Sequence, residues 1–229
     1  MSQAASLPAR SVTFLTDDSV HIRGSYWEGR GEVALTALLV HDAGADRTCW
    51  EPYVPLFRSR GWNVLTFDLR GHGESVRQDM RHTLLRPEVA DLTSAHHYPA
   101  DVRAAVAFAQ RQSRHEAGRL ALVGLGLGAD LGYAGSARGW GAGTNVLVSL
   151  DESRARELAG NGTFGPRSCY LMYGEHDDEA AASVEAFRQA AASPSEAFGY
   201  PTNARGLALW TQRQPETIAR AIGWIEKTI

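Results

Sequence analysis

Apolar and polar residues alternate near the start of the chain and then give way to longer apolar runs. Strand-like segments at residues 12–15 and 20–27 flank the turn residues Asp17 and Asp18. This pattern predicts an antiparallel β-hairpin. The next segment, residues 34–40 (ALTALLV), is apolar throughout, which is typical of a strand covered on both faces. Residues 1–10 carry no such pattern and are predicted to form a flexible tail.

From residue 52 onward, segments with a helical period alternate with short apolar segments. Helices are predicted at residues 52–60, 99–112, 179–192 and 215–229 and directly after Gly128, and strands at 62–67, 119–123, 145–150, 168–173 and 196–200. Residues 70–98 are polar and mixed and have no clear period. Alternating strands and helices after a hairpin predict an α/β protein with a mostly parallel sheet. Since no linker or repeat interrupts the pattern, residues 11–229 are expected to form one domain.

Composition narrows the class of protein without identifying it. The chain has 229 residues and a formal net charge of −3, which gives no basic surface for nucleic acid or an anionic membrane. Two cysteines, Cys49 and Cys169, are too few for a disulfide framework or a cysteine-based zinc site. The first ten residues lack a signal-peptide core, and no segment approaches the roughly 20 apolar residues of a transmembrane helix. We therefore expect a cytoplasmic protein without metal or cofactor.

Four segments carry a family resemblance. They are LLVHDAGADRTCW (38–50), FDLRGHGES (67–75), LALVGLGLGAD (120–130) and YLMYGEHDD (170–178). In order and spacing they resemble the α/β-hydrolase fold, especially compact bacterial serine esterases and dienelactone-hydrolase-like proteins. The resemblance implies a central sheet of about eight strands with helices on both faces. Only residues 151–167 separate the sixth and seventh family strands, so no large cap domain is expected.

The positions that match the catalytic triad depart from the family pattern. The nucleophile elbow is G-x-S-x-G in these hydrolases, whereas residues 124–128 read GLGLG, so Gly126 stands at the nucleophile position. Asp177 matches the acid. No histidine follows Asp177, and the position of the histidine base falls on Arg205, which precedes Gly206. An arginine cannot act as a general base, because its pKa lies above about 12.

These departures predict that ordinary Ser-His-Asp catalysis is absent. The resemblance then implies a catalytically degenerate pseudo-hydrolase that binds a small ester, carbonyl or carboxylate compound. One alternative is an Asp177–Arg205 ion pair that replaces the Asp–His pair without any ligand. Another is weak ester hydrolysis by a water molecule held between Asp42, Asp177 and the oxyanion donors. Whether the protein is an enzyme, and its oligomeric state, stay open at this stage.

The resemblance also assigns residues that would contact a ligand. The backbone N–H groups of Ala43 and Leu127 match the oxyanion donors, which hold either a ligand oxygen or water. The helix that begins after Gly126 presents its positive dipole end, and Arg205 adds a guanidinium, so the site suits an anion. Asp42 is expected to be a solvated loop residue, although an ion pair with Arg205 or a role as a base are alternatives.

Four further residues near these motifs are expected to be structural. His41, His72 and Arg70 match positions that tie loops together in the family. Trp50 is expected to pack against the pocket wall, and a ligand contact is its alternative role.

The glycine turn also fits a second class of function. Gly124, Gly126 and Ala129 satisfy G-x-G-x-x-A between a strand and a helix, and Asp151 ends the next strand. This is the layout of a dinucleotide-binding fingerprint. It accounts for one segment, whereas the hydrolase resemblance accounts for four. A third class is an interaction protein that acts through its surface, and the sequence pattern does not test this class.

Overall fold

A computed structural model describes residues 8–30, 35–78, 83–84, 97–112, 119–160, 168–190 and 194–229. The strands are β1 (Arg10–Leu15), β2 (Val20–Trp27), β3 (Thr36–Val40), β4 (Asn63–Phe67), β5 (Arg77–Gln78), β6 (Thr83–Leu84), β7 (Leu120–Leu125), β8 (Thr144–Val148), β9 (Cys169–Gly174) and β10 (Ser195–Tyr200). The helices are α1 (Val54–Arg58), α2 (Tyr98–Gln112), α3 (Leu127–Ala137), α4 (Glu152–Ala159), α5 (Asp178–Ala190), α6 (Gly206–Gln212) and α7 (Glu216–Thr228), with a 3₁₀ helix at Arg47–Trp50. None of these described helices is both long and apolar enough to cross a membrane.

The described strands form a single mixed sheet in the order β10-β9-β8-β7-β3-β4-β2-β5-β6, and β1 pairs with β2. Strands β3, β4 and β7 to β10 pair in parallel, whereas β1 and β2 form the predicted antiparallel hairpin. The expected α/β-hydrolase architecture is confirmed. The sheet has ten strands rather than about eight, because β5 and β6 add two residues each from the segment that showed no period.

Helices cover both faces of the sheet. Side chains of β3 alternate between two buried clusters, with Leu38 and Val40 in one and Ala37 and Leu39 in the other. Helices α2 to α5 pack over the first cluster, and α1, α6 and α7 pack over the second. A strand buried on both faces has no polar side to expose, which explains the continuous apolar run in the sequence.

The sequence pattern missed two helices. Helix α4 lies in the segment 151–167, for which the sequence pattern predicts no element, and begins where Asp151 accepts a hydrogen bond from the N–H of Arg154 (3.0 Å). Helix α6 has only seven residues. It is too short for a periodic signal. Among the described residues, α4 is the only element between β8 and β9, as expected for a chain without a large cap. The predicted tail overlaps β1 at Arg10, and residues 1–7 lie outside the described ranges.

The topology places a crevice where β3 and β7 end. Strand β3 has β4 on one side and β7 on the other, so the strand order reverses here, and ligands of parallel α/β sheets bind at such switch points. Val40 of β3 is paired with Gly124 of β7. Two residues further along each strand, Asp42 and Gly126 therefore leave the sheet side by side.

Two glycines allow α3 to approach the end of β3. A Cβ atom on Gly128 would lie 2.4 Å from the carbonyl oxygen of Val40, and one on Gly124 would lie 2.3 Å from the carbonyl oxygen of Gly128. Both obstacles are backbone atoms, which cannot rotate away. The glycine turn is therefore required by the packing of helix against strand, independently of any ligand.

We expect Gly128→Ala to lower the free energy of unfolding by about 2 kcal/mol or more, because the new methyl group overpacks against backbone. Gly223→Ala is the matched control. Gly223 is an exposed residue of α7 with open space around the Cβ position, so this change should stabilise the chain by about 0.5–1 kcal/mol. Urea unfolding of both variants measures the difference. Equal effects would show that α3 does not lie against β3.

Candidate functional site

The carboxylate of Asp42 lies at the carboxyl ends of β3 and β7, beside the start of α3. Its Oδ1 atom accepts hydrogen bonds from the backbone N–H groups of Ala43 (2.8 Å) and Leu127 (3.0 Å). These are the two groups that were predicted to be oxyanion donors. The expectation that Asp42 is a solvated loop residue is therefore wrong, because its side chain takes the place left for a ligand or water.

The start of α3 explains why a carboxylate is stable there. Gly126 is the N-cap of the helix, and its carbonyl accepts the N–H groups of Ala129 (2.9 Å) and Asp130 (3.1 Å). The N–H of Leu127 belongs to the first turn, which has no partner within a helix. The helix dipole adds positive potential at this end. A carboxylate here gains up to about 2 kcal/mol when it is partly buried, as Asp42 is.

Two glycines with positive φ leave room for the Asp42 side chain. Gly126 has φ +49° and Gly206 has φ +47°. A Cβ atom on Gly126 would lie 2.0 Å from Oδ1 of Asp42, and one on Gly206 would lie 2.0 Å from Oδ2. Gly206 is held in place by the hydrogen bond from its N–H to Oγ of Ser149 (2.9 Å). A serine at position 126 would therefore displace the Asp42 carboxylate from its observed position.

Asp177 and Arg205 lie together, as the triad mapping expects. The Nε atom of Arg205 is 2.8 Å from Oδ2 of Asp177. Its N–H is not aligned with that oxygen, so the contact is electrostatic. Arg205 also donates through Nη1 to Glu179 (2.6 Å). Partial burial opposes the charge of Arg205, but the Glu179 hydrogen bond and the Asp177 charge raise its pKa further. Arg205 thus stays protonated, and no ion pair joins it to Asp42 among the described residues.

The side chains at positions 126 and 205 differ from the serine and the histidine of the hydrolase triad. Position 126 carries no hydroxyl, and position 205 carries a permanent cation instead of an imidazole. The two oxyanion donors are already occupied by Asp42. The alternative mechanism is hydrolysis by a water molecule held between the carboxylates and the oxyanion donors. It would require the Asp42 side chain to rotate away from these donors first.

A buried ion pair beside the site was not predicted. Asp130 of α3 is fully buried and accepts hydrogen bonds from the N–H of Asp151 (2.8 Å) and from Nε of Arg154 (2.5 Å). Burial raises the pKa of Asp130, and the Arg154 guanidinium opposes this shift. Asp42 adds to the negative charge that raises the pKa of Arg154. The sequence offers only weak signals for this pair. Asp130 lies in the first turn of α3, and Arg154 lies in the segment 151–167.

The dinucleotide alternative loses its support in this geometry. Asp151, its proposed ribose ligand, caps α4 through the N–H of Arg154. The start of α3, its proposed phosphate site, holds the Asp42 carboxylate, which repels another anion. Close packing against backbone already explains Gly124, as described above.

His41 positions the loop that carries Asp42. Its Nε2 atom accepts the backbone N–H of Leu69 (2.9 Å). The proton of the neutral ring is therefore on Nδ1, which donates to the carbonyl of Asp42 (2.7 Å). Burial lowers the pKa of His41 to about 4, so the ring is neutral at pH 7. The expected structural role of His41 is confirmed.

His72 and Arg70 brace the neighbouring loop. Nε2 of His72 accepts the N–H of Gly44 (3.3 Å). Arg70 donates through Nε to Asp101 (2.8 Å) and through Nη1 to Asp18 (2.7 Å), which ties the loop to α2 and to the hairpin turn. Both residues serve the structural role that was predicted for them.

Trp50 packs in the buried core under the loop that follows β3. Its side chain is fully buried and meets Trp210 of α6 edge to face, with 5.4 Å between the ring centroids, and Tyr53 in the same manner at 6.4 Å. This burial favours the packing role of Trp50, and its alternative role as a ligand contact stays a prediction. The Trp50–Trp210 contact packs α6, which begins at Gly206, against the segment that follows β3.

Comparison with known proteins agrees with this fold. The sequence model of the α/β-hydrolase family matches residues 37–225, and the chain belongs to this family. Among solved structures, an esterase from Pyrococcus furiosus superimposes with a TM-score of 0.73 at 17% identity, covering 96% of this chain and 93% of that one. A dienelactone hydrolase from Anabaena variabilis gives 0.68 at 14% identity, with 96% and 95% covered. No curated protein matches the sequence.

The environment of His41 predicts a specific pH dependence. An unfolded chain protonates His41 below about pH 6.5, whereas the folded chain does so only near pH 4. The contribution of His41 to the free energy of unfolding is therefore fully present above about pH 6.5. It falls by on the order of 3 kcal/mol as the pH drops from there to about 4. In His41→Gln, the amide oxygen still accepts from Leu69 but does not titrate.

Urea unfolding between pH 7 and pH 4 checks this. Burial raises the pKa values of Asp101 and Asp130, which change stability in the opposite direction. Both groups are present in both proteins, so the difference between the two slopes isolates His41. Parallel slopes would mean that His41 is not the buried neutral ring described here.

Proposed function

We propose that this α/β-hydrolase family member is a catalytically silent pseudo-hydrolase whose oxyanion hole is closed by its own Asp42. The observation that carries the proposal is the pair of hydrogen bonds from Ala43 and Leu127 to one oxygen of Asp42. The structural neighbours include an esterase and a dienelactone hydrolase. Ester or lactone hydrolysis is therefore the reaction class that an active ancestor would have catalysed.

The proposal predicts a lower turnover than the loss of triad residues alone would cause. Removing the nucleophile alone costs about a million-fold in turnover, or roughly 8 kcal/mol of barrier. Hydrolases that lose triad residues still retain roughly 10³–10⁴-fold catalysis through their oxyanion hole and substrate binding. Here a carboxylate fills the hole and would repel the negative charge that develops on a substrate carbonyl. This residual catalysis is therefore expected to be absent as well.

The same contact narrows what the native site binds. A carbonyl or carboxylate ligand at the two donors would have to displace Asp42, and a carboxylate would also meet its charge. We therefore propose a closed site, in which the Asp177–Arg205 ion pair replaces the Asp–His pair, rather than an open ligand site.

The proposal is tested by restoring the triad with and without Asp42. We expect the native chain to hydrolyse p-nitrophenyl acetate and butyrate no faster than the uncatalysed background rate. Gly126→Ser/Arg205→His should gain little turnover, since the Asp42 carboxylate still competes with the substrate for the two oxyanion donors. Adding Asp42→Gly to that double variant should raise turnover about 100-fold or more, because nucleophile, base and oxyanion donors are then all free.

The control for the third substitution is Asp46→Asn in the same double variant. Asp46 lies in the same loop but accepts from the N–H of Thr48 and not from the oxyanion donors, so this triple variant should have the same turnover as the double variant. Thermal unfolding verifies that each variant is folded. Turnover by the native chain that Asp42→Asn abolishes would overturn the proposal and identify Asp42 as a working catalytic group.

A further inference from the structure

We infer that the open edge of β10 is an interface through which two copies of this chain pair into a symmetric dimer. In the described part of the chain, β10 (Ser195–Tyr200) lies at one end of the sheet and pairs only with β9. An unpaired strand edge presents a row of N–H and C=O groups that bond readily to another strand. The inference goes beyond the proposed function, because none of the residues involved belongs to the Asp42 site.

Alternate residues of β10 direct their backbone groups away from the sheet. The carbonyl of Pro194 accepts the N–H of Cys169 in β9 (3.3 Å). The carbonyl of Tyr200 accepts the N–H of Glu175, directly after β9 (2.8 Å). Since successive residues of a strand point their backbone groups to opposite sides, the even-numbered residues of β10 bond to β9. The N–H and C=O groups that point toward the open edge are those of Ser195, Ala197 and Gly199.

The sequence of β10 does not block this edge. Proteins commonly protect exposed strand edges with proline, with lysine or by keeping the strand very short. This strand has six residues and contains neither proline nor lysine. Its three outward-directed residues are small. A second backbone therefore meets no bulky side chain at the centre of the strand.

One antiparallel register uses all of the outward-directed groups. When Ala197 pairs with Ala197 of the second copy, Ser195 pairs with Gly199 of that copy, and Gly199 pairs with its Ser195. Each of these pairs exchanges two hydrogen bonds about a two-fold axis through Ala197. The even-numbered residues then form the closer, non-hydrogen-bonded pairs, and Glu196 lies directly opposite Phe198 of the second copy.

The charges beside the strand suit a second copy of this chain. The guanidinium of Arg220 lies 3.3 Å from the centroid of the Phe198 ring, and its side chain is 33% exposed. The side chain of Glu196 is 50% exposed and pairs with Lys227 of α7 (2.5 Å). The two-fold register brings Glu196 of each copy beside Phe198 and Arg220 of the other, so opposite charges meet twice. This complementarity identifies the occupant as a second copy rather than an unrelated extended peptide.

Sedimentation velocity of the native chain at increasing micromolar concentrations tests for the dimer. We expect a reversible monomer–dimer equilibrium. Ala197→Pro should raise the dissociation constant about 10-fold or more, because proline removes the N–H that each copy donates at the axis. In the monomer this N–H points to the open edge, where strands tolerate proline.

A charge reversal tests the contact between copies separately. Glu196→Arg should weaken the dimer, because it places like charges opposite each other, and adding Arg220→Glu should restore it. The control is Glu226→Arg on the same helix as Arg220. Glu226 pairs with Arg60 (3.4 Å), which follows α1 and lies away from β10, so this variant should dimerise like the native chain.

Two cysteine variants read the register. Ala197→Cys should form a disulfide-linked dimer on mild oxidation, since hydrogen-bonded antiparallel pairs have Cα atoms about 5.5 Å apart, within disulfide range. Ser195→Cys is the matched control. Its two copies would lie about 14 Å apart along the strand direction, beyond the reach of a disulfide. The oxidised native chain, with half-buried Cys49 and buried Cys169, gives the baseline.

Three results would overturn the inference. One is a native chain that stays monomeric at every concentration, as it would if the edge received a strand from another protein. Another is a dimer that both Ala197→Pro and Glu196→Arg leave intact. The third is equal cross-linking of Ser195→Cys and Ala197→Cys. If Ala197→Pro does not fold, the charge reversal and the cysteine variants still decide.

Discussion

The hydrogen bonds from the start of α3 to the Asp42 carboxylate are the contact on which the rest of the site depends. In the observed geometry, a Cβ atom on Gly126 or on Gly206 would collide with this carboxylate. They also occupy the two N–H groups that would stabilise an oxyanion. Gly126, Gly206 and the two occupied N–H groups are therefore linked through contacts with one carboxylate.

Most of the fold follows from the sequence, because strong local patterns and topology agree. The apolar run at residues 34–40 predicts a buried strand, Asp17 and Asp18 predict the hairpin turn, and Ile218, Ile222 and Ile225 recur at helical spacing in α7. The strand order follows once the family resemblance is established. The pattern fails where an element is short. Strands β5 and β6 have two residues each and α6 has seven, so their formation depends on the sheet and the core they pack against.

The site was predictable in its positions but not in its contacts. The family order identifies Gly126, Asp177 and Arg205, and the last two do meet. The orientation of Asp42 depends on the register between β3 and β7, which are neighbours in the sheet but far apart in sequence. It also depends on the space left by two glycines, and local sequence shows neither. Trp50 illustrates the same limit, since its burial depends on Trp210, 160 residues further along the chain.

The most direct measurement is a crystal structure of the native chain at a resolution that places the Asp42 side chain. The account predicts one carboxylate oxygen within about 3 Å of both the Ala43 and Leu127 nitrogens, with no water or ion at that position. An Asp42 side chain turned toward solvent, with a water molecule or an anion bound to the two N–H groups, would contradict it.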